Sequence, residues 1–306
     1  MELHQLRYFC AIAETGSFSR AAQQAHVSQP SLSQQILKLE DELGTRLFDR
    51  LGRSVRLTEL GRTFLPRARA VLRDLESARN DLVERKSAVS GEICVGVIPT
   101  IGPYLLPSLL ATFSRKWTKA RVTVTEEITP VLLEKVRASS VDIAILALPV
   151  QARSQEFESF AMMTEKMYAV LPKRHELAAR REVALGELHG QPFLLLRDGH
   201  CFRETAVEAC KRARLNPQIV FESGQFSSIL SMVSAGLGVS VVPAMAVEKR
   251  PGCCFIPLAD ARAERTIGAV TLKGRSLTRA SIQFLAHLGV KPARSANGNG
   301  HAAARN

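Results

Sequence analysis

The sequence predicts a mixed α/β protein in three parts: an N-terminal winged helix-turn-helix, a long linker helix and a two-lobed α/β domain. Three observations carry this. Apolar residues recur at helical spacing with tight breaks up to about residue 57, one helical stretch then runs from Thr58 to about Ser90, and beyond Gly91 strand-like alternation and helical spacing take turns.

Leu3, Leu6, Phe9 and Ala13 share one helical face, Gly16 and Ser17 break it, and Phe18, Ala21, Ala22 and Ala25 resume it. Ser28 then suits an N-cap and Pro30 a first turn, and Leu32, Ile36, Leu39 and Leu43 form an apolar stripe that Gly44 stops. The opposite face carries Gln29, Ser33, Gln34 and Lys38. An alanine-rich helix that allows close crossing, a turn, and a helix with a Ser/Gln face make a helix-turn-helix pattern. Arg50 to Leu57 follow as a small hairpin wing. Between Arg46 and Arg73, eight arginines stand against Asp49 and Glu59, so positive charge gathers around that wing.

From Thr58 to Ser90, Leu65, Ala68, Leu72, Leu75 and Leu82 keep heptad spacing, with Arg79 in the one missing slot. The stripe seeks a partner surface, either on its own domain or on the same helix of a second copy. The second choice predicts a homodimer through residues 59–90.

Ile93, Val95 and Val97 alternate, Pro103 to Trp117 has helical spacing, Arg121 to Glu127 alternates again, and Asp142 to Leu148 is a short apolar run. This βαβ order predicts a largely parallel sheet. Further strands are expected at about Met167 to Leu171, Pro192 to Leu196, Ile219 to Glu222, Val239 to Val242, Phe255 to Leu258 and Thr266 to Leu272. So many strands suggest two lobes with a cleft between them, as in periplasmic solute-binding proteins. The expected division is 1–58 for the winged domain, 59–90 for the linker, 91–163 with 269–292 for lobe I, and 164–268 for lobe II. A small, polar tail at 293–306 is expected to be disordered.

Composition narrows the function. The 306 residues carry 41 Lys and Arg against 29 Asp and Glu, a net +12, with 46% hydrophobic and 23% charged residues. Those values exclude a collagenous, mostly disordered or membrane-embedded chain, and the excess charge favours polyanionic partners. No apolar run approaches the roughly 18 residues that span a bilayer, and Met1 to Arg20 does not read as a signal peptide. The expectation is a cytoplasmic protein with no membrane contact. Six cysteines in such a chain read as reduced thiols. Cys10 and Cys94 fit core positions, and Cys253 and Cys254, adjacent in a strand, point to opposite faces and make a poor chelating pair. His26, His175, His189 and His287 read as surface or structural residues. No metal site or cofactor is expected.

The string SFSRAAQQAHVSQPSLSQQILKLEDELGTRLFDRLGRSVRLTELG, Ser17 to Gly61, resembles the winged helix-turn-helix of LysR-type transcriptional regulators. The rest of the chain to about residue 291 resembles that family's linker and two-lobed effector domain. The resemblance implies a sequence-specific regulator of transcription rather than an enzyme. Its partners would be double-stranded promoter DNA, further copies of itself as dimer and tetramer, and RNA polymerase. It places Ser28, Gln29, Pro30, Ser33, Gln34 and Lys38 toward the major groove, and Arg50 and Arg53 of the wing toward backbone or minor groove. Gln and Ser can bond base edges, and arginines supply salt-dependent attraction.

VIPTIGPYLLP (Val97 to Pro107), ILAL (Ile145 to Leu148), DGHCFRETAVEAC (Asp198 to Cys210) and RTIG (Arg265 to Gly268) are similar to the peroxide-sensing members of the family. That similarity implies hydrogen peroxide as effector, Cys201 as the reactive thiol and Cys210 as its disulfide partner. It places Thr100, Thr129, His200 and Arg265 around the site. The competing reading is a regulator that binds a small metabolite in the cleft through Thr100, Thr129 and Gln225, with Cys201 incidental.

Spacing adds a physical constraint. Cys201 follows an apolar strand and opens a helical pattern, so a helix N-terminus, with His200 or Arg265 nearby, should favour its thiolate. If Cys201 and Cys210 share one helix, nine residues at about 1.5 Å rise separate their Cα atoms by roughly 13 Å. A disulfide tolerates about 7 Å. Bonding these cysteines would then require the helix to melt.

Overall fold

The computed structural model describes residues 1–51, 54–83, 89–150 and 155–290. The wing's Arg53, the side chains of Arg50 and Leu82, and the tail at 293–306 lie outside the described residues.

The first helix, α1 (Leu3–Thr15), ends where Gly16 turns left-handed at φ 62°. The Ser17 hydroxyl accepts from Arg20 N to open α2 (Phe18–Gln24), and Ser28 does the same from Ser31 N for α3 (Gln29–Leu43). The wing is β1 (Phe48–Leu51) paired antiparallel with β2 (Ser54–Leu57), so it starts earlier than the arginine pattern suggested. The ring of Phe9 lies 5.3 Å from that of Phe48 and 5.2 Å from that of Phe64, which joins α1, the wing and the next helix in one core. Leu32, Ile36 and Leu39 are fully buried there, whereas Leu43, at the end of the stripe, is 38% exposed.

A buried carboxylate ties α3 to the wing. Glu40 Oε1 accepts from Leu47 N at 2.7 Å and from Phe48 N at 3.1 Å. Alanine there would leave two buried N–H groups without an acceptor. Glu40→Ala is therefore expected to cost roughly 2–5 kcal/mol in chemical denaturation of the winged domain, and Glu40→Gln, which keeps an oxygen, less. An unchanged midpoint for Glu40→Ala would show that water replaces the carboxylate at no cost.

The linker helix α4 (Glu59–Val83) begins against the wing so closely that a Cβ on Gly61 would sit 2.1 Å from the Leu47 carbonyl. Its apolar stripe divides. Leu65, Ala68 and Leu72 pack into the winged domain's own core, and Val71 and Leu75 remain exposed. The heptad reading gave Leu65, Ala68, Leu72 and Leu75 one seam; the first four turns instead serve their own domain because Phe9 and Phe64 bring α1 across them.

The first lobe opens with β3 (Gly91–Val97), α5 (Gly102–Lys116), β4 (Ala120–Glu126), α6 (Thr129–Arg137) and β5 (Ile143–Leu148). Here β3 pairs in parallel with β4 and β5. The sheet as a whole is not largely parallel. The 16-residue β6 (Phe157–Pro172) runs antiparallel to β11 (Glu264–Leu272), and β11 is antiparallel to β5. Strand β6 serves both lobes. At one end of β6, Phe157 lies in the first-lobe core; at the other, Met167, Ala169 and Leu171 lie in the second.

The second lobe adds β7 (Pro192–Leu196), α7 (Cys201–Arg212), β8 (Gln218–Ser223), α8 (Phe226–Ser234), β9 (Ser240–Pro243) and β10 (Cys253–Pro257), and α9 (Arg279–His287) returns to the first. Strands β7 and β8 are parallel, and β9 and β10 pair with β6. Two separate cores result, one around Phe113, Ile143 and Phe284, the other around Phe193, Phe202 and Ile229.

The linker meets the first lobe through charge. Arg73 Nη2 donates to the Ser139 carbonyl at 2.5 Å. Arg275 Nη2 lies 3.0 Å from both Asp74 of α4 and Asp142, whose other oxygen accepts from Cys94 N. No helix among the described residues is long and apolar enough to cross a membrane.

Candidate functional site

Two sites emerge, one on the winged domain and one between the lobes. On the first, the face of α3 opposite its buried stripe presents Ser28, Gln29, Pro30, Gln34 and Lys38 to solvent, with Ser33 half-buried. Ser28 is spent on the N-cap and Pro30 lies in the first turn, so Gln29, Gln34 and Lys38 hold the free donors and acceptors. Arg46, Arg56 and Arg62 are exposed nearby in the chain. An exposed helix with amide and cationic side chains beside a basic wing has the chemistry to enter a DNA groove.

The second site is built around Cys201, the first residue of α7. Strand β7 delivers the chain to the loop, Gly199 takes φ +88°, and His200 forms the extended N-cap. Although Cys201 belongs to a second-lobe helix, it packs against the first-lobe core. Cys210, on the same helix, is 0% exposed inside the second-lobe core. The helix the spacing argument needed is present, and its two cysteines lie in different cores.

Around the thiol stand α6 with Thr129, β11 with Arg265 and the β5 backbone at Ala147. Burial pushes the Cys201 thiol above the ordinary range; Thr129, Arg265 and the Ala147 backbone pull it down, and Glu204 on its own helix pushes it up. The expectation of a thiolate at rest is therefore corrected: desolvation outweighs the polar neighbours. His200 does not supply a positive charge either. Burial, then the Arg197 guanidinium, lower its pKa and favour the neutral ring.

Arg265 is held on every nitrogen. Its Nε donates to Glu165 Oε1 at 2.7 Å, Nη1 to Thr100 Oγ1 at 3.0 Å and Nη2 to the Thr100 carbonyl at 3.1 Å. Thr100 is thus committed to Arg265 rather than turned to the thiol. By contrast, Thr129 Oγ1 and His200 Nε2 are buried with no hydrogen-bond partner, the Thr129 contact to the thiol falling short of full hydrogen-bond geometry. Beside this site a cleft of about 450 Å³ is lined by Ile128, Arg197, His200, Gly224 and Gln225 among others.

The comparisons give the architecture its place. The family model described as bacterial regulatory helix-turn-helix protein, lysR family, matches residues 3–62, and the one described as LysR substrate binding domain matches residues 86–290. The chain belongs to the LysR family of transcriptional regulators. This LysR-type regulator is 36% identical over 280 residues to the hydrogen peroxide-inducible genes activator of Dickeya chrysanthemi, covering 90% of the chain and 91% of the relative. It is equally similar, over the same shares, to the DNA-binding transcriptional dual regulator OxyR of Escherichia coli K12. Among solved structures, a full-length cysteine-to-aspartate OxyR of Pseudomonas aeruginosa superimposes with TM-score 0.74 at 32% identity, covering 94% of this chain and 93% of that one. A peroxide-bound OxyR mutant of Corynebacterium glutamicum gives TM-score 0.64 at 33% identity, over 94% and 91%. The regulator is thus closely related to peroxide sensors.

Of the residues the sequence singled out, Cys201, Thr129, His200 and Arg265 come together in the regulator, Thr100 joins through Arg265, and Cys210 stays apart. Gln225 lies in the cleft. The residue the sequence missed is Glu165, whose partner Arg265 is a hundred positions away. It lies in a polar stretch without a motif, so no local signal could have found it.

Proposed function

We propose that this regulator senses hydrogen peroxide at Cys201 and converts it into a Cys201–Cys210 disulfide that alters promoter binding. One observation carries the reading: Thr129 Oγ1, next to the Cys201 thiol, and Nε2 of His200, the residue before it in the chain, are buried, unpaired polar atoms. Such groups cost free energy unless a small polar molecule completes them, and peroxide both donates and accepts. The thiolate of Cys201 attacks the O–O bond, hydroxide leaves, and a sulfenic acid remains. The Cys210 thiol then displaces that oxygen as water. Two thiols and one peroxide become a disulfide and two waters.

The regulator acts without catalytic turnover of a substrate and without a cofactor, in the cytoplasm. Gln29, Ser33, Gln34 and Lys38 read the major groove, Ser28 and Pro30 set the start of the helix, and Arg50 and Arg53 grip backbone or minor groove. Residues 1–58, 59–90 and 91–292 are the working units, with lobe boundaries at 163/164 and 268/269. Dimerisation uses 59–90, supported by the exposed Val71 and Leu75 on α4; tetramers and RNA polymerase complete the assembly.

The test is peptide mass spectrometry of peroxide-treated protein. The expected product is one peptide pair joined at Cys201 and Cys210, lighter by two hydrogen atoms. Oxidation confined to other cysteines would overturn the reading. The cleft favours a second reading, a metabolite bound at Gln225 and Arg197, for which saturable ligand binding with an unreactive Cys201 would be found.

A further inference from the structure

We propose that Glu165 is a positioning residue for the thiol chemistry: by gripping Arg265 it sets how much positive charge reaches Cys201. The inference rests on Cys201 being the sensing thiol. Glu165 and Arg265 face each other as directly paired residues of β6 and β11. Their side chains are 3% and 1% exposed and meet at 2.7 Å. The second carboxylate oxygen accepts from Met245 N at 2.8 Å, which fixes Glu165 itself. Arg265 then lies over the Phe202 ring at 5.1 Å, and Phe202 follows Cys201 on α7.

The groups that face the thiol are few. Arg265 of β11, Thr129 of α6 and the Ala147 backbone of β5 favour its ionised form, and Glu204 of α7 opposes it. Arg265 is the cation among them. A guanidinium clasped by a buried carboxylate presents a dipole to its surroundings, and a dipole's field falls faster with distance than a charge's. The low dielectric of the site makes the difference large. Glu165 therefore plays two opposed parts: it holds the guanidinium in place, and it offsets part of the charge delivered to the thiol. Burial is what raises the thiol, and the offset guanidinium counters it less than a free one would.

The neutral isostere separates these parts. Glu165→Gln keeps an oxygen for Arg265 Nε and removes the compensating charge, so the titration midpoint of Cys201 should fall. Iodoacetamide labelling at Cys201, read by peptide mass across pH in the full-length reduced protein, measures that midpoint. Each unit of fall gives about tenfold more thiolate at a pH below both midpoints, so the labelling profile shifts to lower pH by that unit. Glu165→Asp, which keeps the charge, should return the profile toward wild type. An unchanged or raised midpoint in Glu165→Gln overturns the proposal.

If Glu165→Gln does not fold, the neutral pair Glu165→Gln with Arg265→Gln, which buries no charge, carries the test. Its midpoint should lie above wild type, and a wild-type midpoint there overturns the proposal equally. Alkylation does not depend on peroxide. Labelling that shifts as expected while peroxide still yields no Cys201–Cys210 bond supports Glu165 and removes the sensing reading instead.

Discussion

Cys201→Ser is expected to abolish the proposed peroxide response of promoter binding, down to background at any peroxide dose. The nucleophile is the ionised sulfur; a serine hydroxyl stays protonated near neutral pH and does not cleave the O–O bond. Cys210→Ser is expected to oxidise still at Cys201 but to stop at sulfenic acid or proceed to sulfinic, since no thiol resolves it. Replacing Cys10, Cys94, Cys253 and Cys254 together should leave the response in place. The wild-type rate has a defined pH dependence. Because burial raises the Cys201 pKa, the reactive fraction is small at neutrality and grows about tenfold per pH unit until the raised midpoint is passed. Stopped-flow oxidation across pH checks this, and a flat rate from neutral pH upward would mean that the thiolate is already fully formed. A response retained by Cys201→Ser would sink the sensor assignment outright.

In protein oxidised until mass confirms a full Cys201–Cys210 bond, the amide hydrogens of residues 202–209 are expected to exchange far faster than in reduced protein. The reduced α7 runs unbroken from Cys201 to Arg212. Over nine residues the rise is about 13 Å, well beyond the roughly 7 Å that a disulfide spans. Cys210 must also leave a core in which it is 0% exposed, among Phe202, Ala206, Ala209 and Leu215. The start of α7 is pinned by Arg203, which bridges Asp198 at 3.1 Å and Glu222 at 2.6 Å, so those ion pairs have to break or travel with it. Amides protected by the helix exchange slowly in the reduced state, and their opening should raise rates by orders of magnitude. Helix α3, remote in the winged domain, serves as the internal standard. Protection that survives in a fully bonded sample would show that the bond forms without melting α7.

The parts of this architecture that obey short-range rules were legible. Gly16 and Gly44 stop their helices in the left-handed region, Ser28 starts α3, and strand β7 appears where Pro192 to Leu196 reads as an apolar run. The strand direction was not. Three parallel strands follow from βαβ order, whereas β6 and β11 return antiparallel because they join two lobes, a constraint absent from any local window. The first ten residues of β6, Phe157 to Lys166, escaped notice because polar residues interrupt their apolar alternation. The stripe on α4 was visible, but periodicity says only that a face is apolar, not which surface covers it. Around Cys201 the motif residues were found by resemblance; the state of the thiol was not. A helix N-terminus is local and predicts a thiolate, while the burial that reverses it comes from the first lobe's core, far away in sequence.

The Arg275 joint has one more property. Its two carboxylates see different solvents: Asp74 on the linker is 53% exposed, Asp142 in the lobe only 5%. Dissolved ions at physiological strength screen the outer arm over about 8 Å and barely touch the inner one. Rising ionic strength therefore loosens the reading head's tether while the anchor in the lobe stays fast, and the effector domain keeps its shape as the linker gains play. A titration of promoter affinity against salt would then record two processes at once, counterions leaving the DNA and a hinge slackening inside the protein.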